Sequence, residues 1–370
     1  MEVRERPVPI SRYADPALPS GGLTTSVVAV VTDAVRNGRP VVGYGFSSFG
    51  RFAQSGLIRE RFAPRLIGTD LEGPAGDLDP FRAWQVMMAG EKPGGHGERC
   101  VAVGTLDMAL WDAAAKAAGL PLYRQVARSL GVALPVGETI AAYAGGGYYY
   151  PHDDGVRLRE EIRDFVDRGF THVKIKIGGA SLARDLARIE AALELLPSGA
   201  HLAVDAMNAY DAALAGGAAE AFEPYGLWWF EDVCDPLDFE TLATVAQRYR
   251  HPIAAGEAIF SEAEAKLLDR YGGLRRERDV LLFDPVHCYG LPGFLQIVRT
   301  LEGRGWPRSA FWPHGGHAYT SHVVRALGLG GAEVNPRCFA PFGGGVQDWE
   351  RPGIGFEADP AAIALFQALG

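Results

Sequence analysis

One repeating pattern dominates the chain from residue 136 onward: a short strand-like run, a turn and a helical stretch. The candidate strands cover residues 136–143, 172–177, 201–205, 227–231, 253–257, 280–284 and 309–313. Helical stretches fill the gaps, for example residues 182–196, 239–249, 261–271 and 294–303, and a final strand is expected near residues 325–333. Alternating strands and helices build a parallel sheet, and this many units favours closure. We therefore predict an α/β fold, a modified TIM barrel of the (β/α)7β type, over residues 126–340.

The predicted pattern of strands and helices is different before residue 125. Residues 24–32 are almost wholly β-branched, and residues 39–46 are predicted to pair with them across Asn37-Gly38, a strong hairpin signal. Helical patterns follow at residues 58–66, 80–88 and 105–118. Strands followed by a run of helices predict an α+β capping domain over residues 1–125, with Gly-rich loops at 45–56 and 90–97 placed to cover a site. The tail, residues 341–370, is expected to return to this domain.

Composition narrows the class of protein. A formal net charge of −9 over 370 residues argues against a nucleic-acid partner, which would require a basic face. The four cysteines are scattered without a C-x-x-C pair, so neither a disulfide framework nor a structural zinc site is expected. The charged N-terminus has no apolar signal region, and no run approaches the length of a membrane span. We therefore predict a soluble cytoplasmic protein that does not bind membranes.

Two lysines stand out on the second candidate strand. Lys174 and Lys176 alternate with β-branched residues, so their side chains share one face of the strand, roughly 6–7 Å apart. At an effective dielectric constant of about 20, two ammonium groups at that distance repel by roughly 2.5 kcal/mol, enough to lower the pKa of one of them. A lysine that loses its proton near neutral pH can act as a base. The alternative is a pair of solvated lysines on an edge strand.

Acidic residues end the next three candidate strands. Asp205, Glu231 and Glu257 lie 26 residues apart, which is one βα unit, and each follows an apolar segment. A single acid at a strand end often caps the next helix. Three on consecutive strands would instead crowd negative charge at the carboxyl-terminal rim of the barrel, which is unfavourable without a cation. Oxygen ligands without cysteine or clustered histidine favour Mg²⁺ over zinc.

A carboxylate and an imidazole follow on the next two strands. Asp284 ends the sixth candidate strand, and His314 follows the seventh between Pro313 and Gly315. A carboxylate beside an imidazole fixes its tautomer and raises its pKa, so the pair would form a proton donor opposite the lysines. His317, His172 and His287 are interpreted as structural. The Gly clusters lack the following Lys-Ser/Thr of a phosphate-binding loop, which argues against nucleotide binding.

This arrangement resembles the enolase superfamily, specifically its mandelate racemase subgroup, over essentially the whole chain. Residues 109–113 resemble the helix signature of the family's capping domain, and residues 42–46, 91–99, 146–151 and 313–317 resemble the tartrate dehydratases of that subgroup. The resemblance implies Mg²⁺ held by Asp205, Glu231 and Glu257. It implies that Lys174 helps to stabilise an enediolate, that Lys176 removes the α-proton and that His314, paired with Asp284, protonates the departing hydroxyl. Glu333 would hydrogen-bond the substrate carboxylate.

Departures from the tartrate dehydratases concern substrate recognition. Ser47 and Phe49 occupy positions where those enzymes carry asparagines. Two residues after Asp205 the family usually has asparagine, but here that position is Met207 and the asparagine follows as Asn208. Ala258 replaces the asparagine that usually follows the third metal ligand. Residues 148–150, a tyrosine run, are interpreted as packing. We predict that four residues contact the substrate: Ser47, Phe49 and Lys92 from the capping loops, and Asn208 from the barrel.

The predicted activity is that of a carbon–oxygen lyase: Mg²⁺-dependent dehydration of a small hydroxy acid or acid sugar such as tartrate to a keto acid, by a homo-oligomer. Two alternatives stay open. One is a racemase or epimerase using the same residues, because a lysine and a histidine on opposite faces can exchange a proton without losing water. The other is a non-catalytic barrel that binds acids. The residues Met207 and Ala258 would favour this alternative if they had destroyed the metal site.

Overall fold

The computed structural model describes residues 1–10, 24–74, 76–135 and 139–369. The N-terminal part is built on an antiparallel sheet in the order β1-β2-β3. Its strands are β1 (Glu2–Pro9), β2 (Thr24–Arg36) and β3 (Arg39–Phe46). The predicted hairpin between β2 and β3 is confirmed. Asn37 (φ 51°) and Gly38 (φ 73°) both adopt the left-handed conformation that a two-residue hairpin turn requires. Strand β1 was not predicted.

A series of helices follows this sheet along the chain, and the longest of them packs on it. They are the π-helical turn Leu57–Phe62 running into α1 (Ala63–Leu66), then α2 (Pro80–Met88), α3 (Glu98–Ala118) and α4 (Leu122–Leu130). Helix α3 begins seven residues before the predicted start, at Glu98, and ends where Gly119 turns left-handed at φ 68°. Strand β3 lies directly on α3, because Gly43 and Gly45 have no side chain to hold the two backbones apart.

The second part is a curled parallel sheet in the order β10-β4-β5-β6-β7-β8-β9. Its strands are β4 (Ala142–Gly145), β5 (Val173–Lys176), β6 (Leu202–Asp205), β7 (Trp229–Glu231), β8 (Ile253–Ala255), β9 (Val280–Leu281) and β10 (Ala332–Val334). The helices between them are α5 (Asp154–Asp167), α6 (Leu182–Leu193), α7 (Ala212–Phe222), α8 (Phe239–Arg248), α9 (Glu262–Tyr271), α10 (Gly290–Glu302) and α11 (Ala318–Leu327). The predicted fold class is confirmed.

Several strand predictions need correction. The fifth and sixth predicted strands end early, at Ala255 and Leu281. The seventh strand is reduced to one bridge between Leu281 and Phe311. Gly330 N donates to Phe311 O (2.9 Å), and this hydrogen bond connects the bridge to the segment that leads into β10. The final strand is only Ala332–Val334, because the predicted residues 325–327 form the last turn of α11. The first strand begins at Ala142, and the predicted residues 136–138 lie outside the described residues.

The C-terminal residues lie against the N-terminal part. Short 3₁₀ turns at Phe342–Gly344 and Phe356–Ala358 lead to α12 (Pro360–Gln367). The ring of Phe366 stacks on Tyr44 of β3 at 4.6 Å between centroids, and Leu122 N donates to Gly353 O (2.8 Å). The domain boundaries near 125 and 340 stay predictions. Among the described residues, none of the helices combines the length and apolar character needed to cross a bilayer.

Candidate active site

Register brings the predicted residues to one rim of the barrel. Lys176 of β5 pairs with Asp205 of β6, and Asp205 pairs with Glu231 of β7, so the three residues end their strands at the same level. After each of the latter two strands the backbone turns sharply through left-handed residues, at Met207 (φ 50°) and Asp232 (φ 45°). These turns fold the chain back over the mouth of the barrel, where loops carry the functional residues of such folds.

Three carboxylates converge at this rim. Asp205, Glu231 and Glu257 each offer an oxygen atom, and these atoms lie within 4.8 Å of one another. Asp205 and Glu231 are fully buried, whereas the Glu257 side chain is 21% exposed on the open side. Burial, together with the neighbouring Asp205 carboxylate, raises the pKa of Glu231 to about 8 although Lys174 opposes this. A hard, all-oxygen donor set of this spacing fits Mg²⁺.

The two lysines neutralise these acids. Lys174 Nζ lies 2.5 Å from Glu231 Oε1, 3.6 Å from Asp205 Oδ2 and 3.4 Å from Glu333 Oε1. Lys176 Nζ donates a short hydrogen bond to Asp205 Oδ2. Burial alone would lower both lysine pKa values, but the carboxylates outweigh burial and hold both well above the ordinary value. Lysine–lysine repulsion was expected to lower one of the two pKa values, but the carboxylates raise both.

His314 and Asp284 form the predicted pair. His314 Nδ1 lies 3.1 Å from Asp284 Oδ2, and His314 Nε2 lies 3.4 Å from Glu257 Oε1. Burial lowers the pKa of His314, but Glu257 and Asp284 outweigh it and raise the pKa to about 9. The amine of Lys176 is thus at the Asp205 end of the acid group and the imidazole of His314 is at the Glu257 end.

These groups open into a cavity of about 220 Å³. Five residues of the predicted catalytic and metal sets line it: Lys176, Asp205, Glu257, His314 and Glu333. Behind them, Lys174 contacts Asp205 and Glu333, and Asp284 contacts His314. Glu231 is paired with Lys174 rather than with a lining residue. Oε2 of Glu333 is buried and has no hydrogen-bond partner within the described part of the chain. Such an orphaned oxygen suits a polar group of a ligand.

Two of the four predicted substrate-binding residues line the cavity, and two do not. Phe49 and Asn208 line the cavity, and Asn208 Oδ1 is buried without a partner among the described residues. Ser47 lies outside the lining: it is fully buried, and its hydroxyl accepts a hydrogen bond from Thr105 of α3 (3.2 Å). Lys92 is exposed in its loop and is also not part of the lining.

Sequence reasoning missed part of the lining. Phe52, Tyr148, Asp232, Asn335 and Phe339 all face the cavity. Tyr148 was interpreted as packing, yet its ring lies 5.3 Å from Lys176 Nζ. The position of Asp232, next to the strand-end Glu231, was a usable signal. Phe339 follows β10 in the chain and stacks on Phe49 at 4.3 Å between centroids. No local sequence pattern predicted this contact.

Residues 157–362, more than half of the chain, match the enolase C-terminal domain-like family. The chain therefore belongs to the enolase superfamily, and its solved structural neighbours include proteins of the mandelate racemase type.

Individual relatives are named dehydratases. Arabinonate dehydratase of Saccharolobus solfataricus is 27% identical over 87% of this chain and 83% of its own length. L-talarate/galactarate dehydratase of Salmonella typhimurium is 30% identical over 73% of this chain and 64% of its own length. The crystal structure of L-talarate dehydratase from Polaromonas sp. JS666, complexed with Mg and L-glucarate, has 27% identity and a TM-score of 0.71 and covers 95% of this chain and 93% of that one.

Proposed function

We propose that this protein is a Mg²⁺-dependent acid-sugar dehydratase that removes the α-proton and the β-hydroxyl of a hydroxy acid to give a keto acid. One observation carries the proposal: Lys176 and His314 flank the acid group from opposite ends within a single cavity. The dehydratase relatives, one of them solved with Mg and an acid sugar, support the same reaction class.

The acid group would hold the metal. Asp205, Glu231 and Glu257 supply three carboxylate oxygens within 4.8 Å of one another, a set that suits Mg²⁺. The bound ion would act as a Lewis acid toward the substrate carboxylate and stabilise the charge that develops when the α-proton leaves. Lys174, already within 3.6 Å of all three of its carboxylate partners, supplies a second positive charge at the same place.

The protein's own groups move the protons. Lys176 takes the proton from the α-carbon, and His314 donates its Nε2 proton to the β-hydroxyl, which leaves as water. The enol product then becomes a keto acid. Because its pKa is raised to about 9, His314 carries the proton it must donate at neutral pH. Glu333 lines the cavity, and its buried Oε2, which has no partner among the described residues, is placed to interact with the substrate.

The outer wall of the cavity bears on the choice of acid. Phe49, Phe52, Phe339 and Met207 give this wall an apolar character. A site that hydrogen-bonds a hydroxyl discriminates strongly, whereas an apolar wall does not. Tartrate stays a prediction as a substrate, and the wall favours acid sugars whose far end carries no second charge.

A screen of aldonic and aldaric acids, tartrate among them, for keto-acid formation tests the proposal. Wild-type protein with MgCl₂ should dehydrate at least one acid. Lys176→Ala and His314→Ala should each lower kcat roughly 10²- to 10⁴-fold, which is the contribution typical of a general acid or base. Equal turnover by either variant would contradict its assigned role.

Racemisation on the same residues is the second candidate, since Lys176 and His314 on opposite flanks could also exchange the α-proton. Incubation in D₂O separates the two. Dehydration yields keto acid, whereas racemisation yields recovered acid that carries deuterium and no keto acid.

A further inference from the structure

A buried hydrogen-bond chain links the capping loop to His314. Ser48 follows β3, adopts the left-handed conformation (φ 62°) and is fully buried. Its Oγ lies 2.7 Å from Asp284 Oδ2 and 3.1 Å from His317 Nε2. Asp284 and His317 are also fully buried. The loop residue Ser48 therefore touches the carboxylate that holds His314.

The hydrogen-bond partners give the direction of the protons between His317, Ser48 and Asp284. His317 caps α11 with Nδ1, which accepts from Thr320 N (3.4 Å), so the proton of a neutral ring is on Nε2. Burial lowers the pKa of His317 to about 4, so the ring is neutral at pH 7. Thr320 Oγ1 lies 3.5 Å from His317 Nε2, whereas Ser48 Oγ is closer at 3.1 Å. The Nε2–H therefore donates to Ser48 Oγ, and the Ser48 hydroxyl donates to Asp284 Oδ2.

Asp284 is consequently fixed at both oxygens. Oδ1 accepts from Val286 N (2.7 Å), while Oδ2 accepts from Ser48 and from His314 Nδ1. With Nδ1–H committed to Asp284, His314 must present Nε2 towards Glu257 and the cavity. Gly315 preserves the space for this chain, because a Cβ there would lie 2.8 Å from His317 Nε2 and 3.0 Å from Asp284 Oδ2.

We infer that Ser48 and His317 are positioning residues: they orient Asp284 and thereby hold His314 Nε2 at the angle needed to protonate the leaving hydroxyl. Ser48 neighbours Phe49 and Gly50, which line the cavity, so the loop that closes the cavity also completes the proton donor. This inference rests on the proposed function for its kinetic consequence, but the hydrogen-bond directions stand independently of it.

The kinetic test uses Ser48→Ala and Ser48→Gly in D₂O, with arabinonate and galactonate, which carry a single carboxylate, as first probes. Both variants remove the hydroxyl, and glycine also tolerates the left-handed backbone. We expect kcat for keto-acid formation to fall about 10- to 100-fold, as for other residues that orient a reacting group, with KM little changed. Proton removal by Lys176 should persist, so recovered acid should gain deuterium. An equal fall in dehydration and deuterium exchange, or no fall in either, would overturn the positioning role.

Thr105→Val is the matched control. It removes one buried hydroxyl that contacts the same loop at Ser47 but does not reach Asp284. Its ratio of deuterium exchange to dehydration should match that of the wild type. A ratio that rises as in the Ser48 variants would show that loop disturbance, rather than loss of the Ser48 hydroxyl, causes the effect.

A second measurement does not require turnover. Selective ¹⁵N labelling of the nine histidines, with His317 assigned by substitution, reports its tautomer by NMR. We expect the Nε2–H form in the wild-type protein. The Nδ1–H form would mean that Ser48 donates to His317 rather than to Asp284, which overturns the inference even if both probe acids prove not to be substrates.

Discussion

At the scale of single residues, the surrounding charges decide protonation more than neighbours in sequence do. Lys174 and Lys176 are two positions apart, and their mutual repulsion is the electrostatic interaction that can be inferred from the sequence. In the fold, carboxylates from three other strands surround them and raise both pKa values. A divalent ion that engages those carboxylates would remove part of this stabilisation, so the state of Lys176 as a base is linked to metal occupancy.

His322 is a buried histidine whose role is structural. Its Nδ1 accepts from Tyr123 N (3.3 Å), and its Nε2 lies 3.2 Å from Ile354 O, so it joins α4 to the C-terminal residues as a neutral ring. Protonation would place an N–H against the Tyr123 N–H. Burial, which favours the neutral ring, lowers the pKa of His322 to about 3.

His322 should therefore make stability fall with acidity. Its folded pKa lies below the value of about 6.5 expected in the unfolded chain, so the unfolded state binds more protons below pH 6.5. We expect the free energy of unfolding to lose up to about 1.4 kcal/mol per pH unit from this group between pH 6.5 and 3. Urea unfolding at several pH values measures it. His322→Gln should show a correspondingly flatter pH dependence; a slope identical to the wild type would refute the assignment.

At the scale of elements, two close backbone contacts set the position of α3. Strand β3 approaches one face through Gly43 and Gly45. On another face, a Cβ at Gly104 would lie only 1.9 Å from Val286 O, in the segment that follows Asp284. Glycine in the middle of a helix costs about 1 kcal/mol relative to alanine. The close approach to the barrel explains why this position nevertheless has no side chain.

Gly104→Ala should accordingly destabilise the protein in spite of its better helix propensity. Overpacking of this kind costs about 1–3 kcal/mol, which exceeds the propensity gain of about 1 kcal/mol. Denaturant unfolding should show a lower midpoint than for the wild type. Gly56→Ala is the control, because φ is −63° and a Cβ there meets nothing within 4 Å. If Gly104→Ala were as stable as Gly56→Ala, the contact with Val286 would not be tight.

At the scale of the whole molecule, the site is shared between the two sheets. The barrel supplies the acids, lysines and His314, whereas the loop after β3 supplies Phe49, Gly50 and Phe52 to the cavity. Gly50 has φ 81°, and a Cβ there would lie 3.1 Å from Glu257 Oε1, so the loop passes directly over the acid group. A ligand in the cavity would touch both parts of the chain at once.

Mg²⁺ should stabilise the whole fold through the acid group. Any ligand that binds only the folded state raises the free energy of unfolding, by about 2.7 kcal/mol at a hundredfold excess over its Kd. Chemical unfolding in MgCl₂ and in EDTA measures this increment. Glu231→Gln removes one of the three carboxylates and should shrink the increment. An undiminished increment in that variant would place the ion elsewhere, and no increment in the wild type would favour a barrel without a metal site.

Much of this arrangement was visible in the sequence because it depends on local periodicity and even spacing. The alternation of strands and helices predicted the barrel. One βα unit per interval predicted that Asp205, Glu231 and Glu257 would reach the same rim, since parallel strands in register end at the same edge. The Asn37-Gly38 turn was predicted because its backbone conformation is set by the two residues themselves.

What the sequence could not determine are the features set by contacts between distant segments. Ser47 and Ser48 are chemically equal and adjacent, and only the left-handed turn at Ser48 decides which hydroxyl reaches Asp284, 236 residues away. The stacking of Phe49 on Phe339 and the raised lysine pKa values likewise arise from segments far apart in the chain. Residue type and spacing determined which chemistry was possible; tertiary packing determined which groups meet, because hydrogen bonds and ion pairs act only over a few ångströms.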